Sequence, residues 1–249
     1  MRLIKSLFLI WVCLSSCLFA ANIKEIKYSC GGNFKALVLY PDKLSAKMPV
    51  IIYNYHEDLD RGNQFRVYQN VHDVTLFMKV FASWGAICVV PMDRFHQINA
   101  IRGAIRYAKT LPRADANNLH VIGISEGAFM SLLAVQPGDG VKSLTLLMPR
   151  SIHNTGALSF PGLMHAMPKL KIPIMIMLAN QSADRSVKSA RLINTVLEQQ
   201  HKQVALVEYS EIDRWFWTPQ KEYMQKIYET ILYKETKKDL PNYWGEGRG

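Results

Sequence analysis

Gly123-Ile124-Ser125-Glu126-Gly127 follows the apolar run His120-Val121-Ile122-Gly123 directly and opens a segment of helical pattern, Ala128 to Val135. A serine in that context sits on a sharp strand-to-helix turn, which small residues on both sides permit. Its hydroxyl then projects clear of the backbone while a helix N-terminus lies behind it. Those are the two requirements of a nucleophilic serine: an accessible oxygen, and N–H groups aimed at developing negative charge. The competing reading is an N-cap serine that satisfies the first N–H groups of the helix.

The elements that must position this serine alternate along the chain. Ile23 to Ser29 and Asn33 to Tyr40 read as two strands around Cys30-Gly31-Gly32, a hairpin. Short unbroken apolar runs follow at Val50–Tyr53, Ile87–Val90, His120–Gly123, Leu144–Leu147 and Ile174–Leu178. Such runs belong to strands covered on both faces, hence to a parallel sheet. Helical patterns lie between them at Val74 to Trp84, Ile98 to Ala108, Ala128 to Val135 and Val187 to Gln199. A last strand, Val204 to Tyr209, precedes a helix from Pro219 to about Lys237. The expected architecture is α/β: a doubly wound, mostly parallel sheet opened by an N-terminal antiparallel hairpin.

In such sheets ligands lie beyond the carboxyl ends of the strands. The residues at those tips are His56-Glu57, Asp93-Arg94, Ser125, Pro149-Arg150, Asp184 and Asp213-Arg214. Strand direction also sorts the histidines. His120 and His201 are expected at amino ends, away from Ser125, whereas His56, His96 and His153 come after their strands.

Composition bounds the rest. The chain has 249 residues, 49% of them hydrophobic and 20% charged, the balance of a globular protein with a sizeable core. The net charge of +10 comes from dispersed basic residues with no nucleic-acid motif beside them, so nucleic acid is not an expected partner. Four cysteines, at 13, 17, 30 and 88, lack metal-ligand spacing, and no metal is expected. Arg2 and Lys5, the apolar run Leu7–Leu14 and the small residues up to Ala20-Ala21 have the layout of a secretory signal peptide over residues 1–21. The domain proper is then 22–249, one unit with a net charge of +8 once Arg2 and Lys5 are removed. Leu14-Ser15-Ser16-Cys17 also resembles a lipobox, in which Cys17 would be acylated; a membrane association is expected only in that case. The mature chain keeps Cys30 and Cys88, which export would allow to pair, although a cysteine inside a buried strand is more commonly a free thiol.

From about Met48 to Thr218 the chain resembles the α/β-hydrolase fold, and within it the dienelactone hydrolases and their carboxylesterase relatives. The residues that carry the resemblance are Pro49 to Glu57, similar to the family's third strand and oxyanion loop, Phe81 to Pro91, similar to its helix-Gly-strand-Pro unit, and the elbow at Ser125. The resemblance implies that Ser125 is the nucleophile and that Asp184, in Asn180 to Val187, is the acid of a triad, although an Asp before a helix can equally cap it. It implies backbone oxyanion donors at Glu126 and near His56 and Glu57. The Glu126 side chain is explained by its place at a helix N-terminus. The implied substrate is a small ester or lactone, with no cofactor.

The third triad position departs from the family. Tyr209-Ser210-Glu211-Ile212-Asp213-Arg214-Trp215 fits the family frame with Arg214 where histidine belongs, and a guanidinium cannot accept a proton from Ser125. Three accounts stand side by side. Arg214 pairs with Asp184 in a domain without hydrolase activity; His56 or His153 serves as a surrogate base, with His165 a weaker candidate; or Arg214 binds an anionic group of a substrate. Trp215, Phe216 and Trp217 read as core first and as an acyl pocket second.

Overall fold

The computed structural model describes residues 23–55, 74–92, 98–150, 159, 161, 163–164, 170–180, 185–210, 216 and 218–232. Among them, eight strands form one sheet: β1 Lys24–Ser29, β2 Asn33–Leu39, β3 Met48–Asn54, β4 Ile87–Pro91, β5 Ala114–Ile124, β6 Val141–Leu147, β7 Ile174–Ala179 and β8 Val204–Tyr209. Their spatial order is β1-β2-β4-β3-β5-β6-β7-β8. β2 pairs antiparallel with both β1 and β4, and every other neighbouring pair is parallel. This is the expected mostly parallel sheet opened by an antiparallel hairpin. Among the described residues the helices that accompany it are α1 Val74–Ser83, α2 Ile98–Ala108, α3 Glu126–Ala134, α4 Arg185–Gln199 and α5 Lys221–Leu232.

Burial explains why the central strands read as unbroken apolar runs. Every residue of β4 and β7 is buried, and in β3 all but Pro49. Two consecutive residues of β3 show what covers the two faces. Tyr53 stacks on Phe77 of α1, with ring centroids 5.1 Å apart. Asn54 bonds instead to Gly127 and Ser131 of α3. Neighbouring strand residues point to opposite faces, so α1 and α3 lie on opposite sides of the sheet. Trp84 meets Tyr228 edge-on at 5.4 Å, which sets α5 beside the end of α1. Arg102 donates to the carbonyls of Leu133 and Ala134, which sets α2 beside α3.

Several boundaries differ from expectation: β3 begins at Met48 rather than Val50, β6 at Val141 rather than Leu144, and α4 at Arg185 rather than Val187. β5 begins at Ala114, six residues before the expected start at His120, because Met48 pairs with Ala114 and the register shifts before Val50 meets Leu119. Its first five residues, Ala114 to Asn118, are half-buried or exposed and include Asp115, Asn117 and Asn118, so they form no apolar run. α3 begins at Glu126, directly behind Ser125, rather than at Ala128. α5 covers Lys221–Leu232 of the helix expected over Pro219 to Lys237, and residues beyond 232 lie outside the described set.

The longer β5 moves His120 from a strand end to a strand interior, where it is buried. The Ser143 hydroxyl pairs with Nδ1 at 2.8 Å and Asn118 Oδ1 with Nε2 at 2.9 Å. Asn118 Oδ1 can only accept, so Nε2 carries the proton and the ring is neutral with both nitrogens satisfied. Burial, helped by the Lys142 charge, holds its pKa down at about 4 against an ordinary 6.5. The unfolded chain therefore takes up a proton that the folded one refuses. Stability from this residue is complete above pH 6.5 and is lost as pH falls towards 4. A loss of roughly 2 to 3 kcal/mol between pH 7 and pH 4.5 is expected from His120. Urea unfolding at the two pH values should show that difference shrinking in His120→Gln; an unchanged acid slope would remove His120 as its source.

Cys30 and Cys88 are both free thiols. Cys88 lies fully buried in β4, and burial pushes its pKa well up. Cys30 is half-buried and accepts from Arg106 at 3.4 Å. Phe216 is core, as first expected: it is fully buried and meets Tyr223 edge-on at 4.8 Å. Trp215 and Trp217 lie outside the described residues.

Candidate active site

Ser125 stands between the last residue of β5 and the first of α3, with φ 55° and ψ −122°. A non-glycine residue there is strained, at a cost of order 1–3 kcal/mol, and persists only where the surroundings over-determine it. The surroundings do so from three sides. The Ser125 N–H donates to the Leu147 carbonyl at the tip of β6 at 2.8 Å. The Ser125 carbonyl accepts from Phe129 at 3.3 Å and from Arg150 at 3.2 Å.

The flanking glycines are required by close approach. A Cβ on Gly123 would lie 2.5 Å from the Ala128 Cα, and one on Gly127 would lie 2.5 Å from the Asn54 carbonyl oxygen. Both obstacles are backbone, so neither can move aside cheaply. Gly123 lets α3 turn back tightly onto β5, and Gly127 lets α3 press against the exit of β3. The motif is thus a packing solution for a sharp turn. The N-cap alternative is not what forms: Ser125 makes no side-chain cap hydrogen bond, and its side chain is half-buried. The hydroxyl is left for other work.

The sequence reading missed one residue that holds this geometry. Asn54, the last residue of β3, is buried and donates through Nδ2 to the Gly127 carbonyl at 2.8 Å and to Ser131 Oγ at 3.2 Å. Ser131 also donates to Gly127 at 2.8 Å. This triangle fixes the first turn of α3 to the strand whose continuation is His56 and Glu57. The available signal was a polar side chain closing an otherwise apolar run. Asn54→Leu keeps the number and branching of side-chain heavy atoms but leaves buried polar groups short of a partner. It should lower the unfolding free energy by about 2 kcal/mol in urea titration; no change would mean that the triangle contributes nothing net.

Glu126 opens α3, as expected of a carboxylate at a helix N-terminus. The structure gives it a further contact: Arg150 Nη2 lies 3.6 Å from its Oε1. Arg150 Nε is buried and has no hydrogen-bond partner among the described residues.

Strand order bears on the remaining candidates. β3 and β6 flank β5, so the chain segments carrying His56 and His153 leave from the strands on either side of Ser125. β7 and β8 end together, Ala179 opposite Tyr209, with the Asn180 N–H donating to the Tyr209 carbonyl at 2.8 Å. Asp184 follows the first of these tips and Arg214 the second. His56, Glu57, His96, His153, His165, Asp184 and Arg214 themselves lie outside the described residues. Of the two histidines assigned away from the site, His120 is enclosed by Ser143 and Asn118, and His201 is exposed just after the C-terminal end of α4.

No protein-family model and no curated protein matches the chain. Solved structures do. The chain is similar to fungal esterases from Rhizomucor miehei, at a TM-score of 0.64 and 14% identity over 90% of this chain and 88% of that one. It is similar to esterase Est22, at 0.57 and 16% over 76% and 73%. It is also similar to the acylaminoacyl peptidase of Pyrococcus horikoshii, at 0.61 and 12%, covering 80% of this chain but only 38% of that larger one. With the sheet order and the turn at Ser125, these likenesses show the α/β-hydrolase fold.

Proposed function

We propose that this protein is a serine hydrolase of carboxylic esters or lactones, similar to the dienelactone hydrolases, with Ser125 as nucleophile. The observation that carries this reading is Ser125 itself, held at φ 55° between two glycines that only a tight elbow requires, with its hydroxyl engaged in no cap. The Ser125 oxygen attacks the ester carbonyl carbon and gives its proton to a base. The carbonyl oxygen becomes an oxyanion, held by the backbone N–H of Glu126 and one from the loop at His56 and Glu57. Collapse expels the alcohol, which takes the proton back, and water then releases the acyl group from Ser125 by the same route. The base is His56 or His153, because their segments leave from the two strands that flank β5. Asp184, which follows β7 in sequence, supplies the acid that orients this base. A small ester or lactone is the only partner the mechanism needs.

A second reading rests on Arg214 standing where the family histidine belongs: a hydrolase-fold protein that binds a small ligand in the cell envelope without turning it over. Fluorophosphonate labelling of the folded domain separates the two. The hydrolase reading expects adduct on the Ser125 peptide by mass spectrometry and none in Ser125→Ala. A folded protein that takes no label supports the binding reading. In either case we propose export through the leader at residues 1–21, with acylation at Cys17 as the alternative. Mass spectrometry of the mature N-terminus distinguishes these.

A further inference from the structure

We infer that Arg150 is a charge-balancing residue of the elbow: through Glu126 it lowers the negative potential against which the oxyanion must form. The inference rests on the hydrolase reading and deepens it. The residue after the nucleophile is asked to donate its N–H to a developing anion, yet here that residue carries a carboxylate. A side chain cannot stray far from its own backbone, so the Glu126 charge acts at short range on the oxyanion, and like charges at short range oppose each other. As a ground-state feature the carboxylate suits the N-terminus of α3. In the transition state it is a liability.

Arg150 meets both conditions for offsetting it. Its backbone is tied to the elbow, since its N–H donates to the Ser125 carbonyl at 3.2 Å. Its guanidinium stands 3.6 Å from the Glu126 carboxylate, with side chains only 38% and 17% exposed, so solvent screens the pair incompletely. With Nε unpartnered among the described residues, the ion pair is the contact seen to hold the guanidinium in place. β5 and β6 are adjacent and parallel, which delivers Glu126 and Arg150 to the same end of the sheet. A partly exposed pair at this distance adds little to stability. Its effect is expected in the rate.

The test is a double-mutant cycle on the mature domain, read as kcat and KM on p-nitrophenyl acetate. Arg150→Gln should lower kcat about tenfold with KM nearly unchanged, because the interaction matters only once charge develops. Arg150→Lys, which keeps the charge, should stay within about threefold of wild type. Glu126→Gln combined with Arg150→Gln should recover most of the lost rate, to within about threefold of wild type, because the charge to be balanced is gone. A merely structural role for Arg150 would not be rescued by removing a second side chain. Substitution leaves the Arg150 backbone bond in place, and melting temperatures of all variants serve as the folding control. Equal kcat in Arg150→Gln and wild type, or a double variant as slow as Arg150→Gln, overturns the inference. Wild-type protein that takes no fluorophosphonate at Ser125 overturns the hydrolase reading first and this inference with it, before any variant is made.

Discussion

Ser125→Ala is expected to lower kcat on a chromogenic ester by about 10⁶, the scale of loss when a serine hydrolase is deprived of its nucleophile. At 1.36 kcal/mol per tenfold, that is roughly 8 kcal/mol of transition-state stabilisation. The melting temperature should hardly move. Alanine suffers the same backbone strain at φ 55°, and the hydroxyl it lacks caps no helix. The combination separates the nucleophile from a structural serine, whose loss would appear in the melt and spare the rate. Turnover in the variant equal to that of wild type would exclude Ser125 from the chemistry.

The second large effect concerns the base. Of His56→Ala and His153→Ala, one should lower kcat/KM by at least about 10⁴ and the other by less than tenfold. The wild-type profile of kcat/KM should then rise with pH as that ring loses its proton, because only the neutral imidazole accepts the Ser125 proton. An inflection from His120 would fall at about pH 4, where burial holds its pKa, and would survive in both alanine variants. If both alanine variants keep full activity, neither histidine is the base. Arg214→His is then the informative variant. A gain of about 10² or more would show that a substituted triad position limits the enzyme.

The fold was legible wherever burial is two-sided. β3, β4 and β7 read as apolar runs because helices cover both faces, and the elbow read as a motif because its glycines answer to contacts with Asn54 and Ala128. β5 was legible only over its buried end; it starts at Ala114, which pairs with Met48 ahead of the register shift to Leu119, and no apolar pattern marks that stretch. The site was legible one residue at a time. Ser125 and Glu126 could be placed from local spacing, and Arg150 could be placed at a strand tip. The ion pair between Glu126 and Arg150 depends on β5 lying beside β6, which no local pattern encodes. Asn54 escaped for a related reason: its partners, Gly127 and Ser131, lie more than seventy residues away in sequence.

The backbone angle at Ser125 sets two demands against each other. Glycine is the residue that would occupy φ 55° without strain, so it is the choice that would most relax this turn. It is also a residue with no oxygen to offer a substrate. At this one position the variant favoured by selection for thermal endurance alone is one that cannot perform the chemistry, and keeping a serine there means tolerating a less stable molecule in exchange for a reactive one.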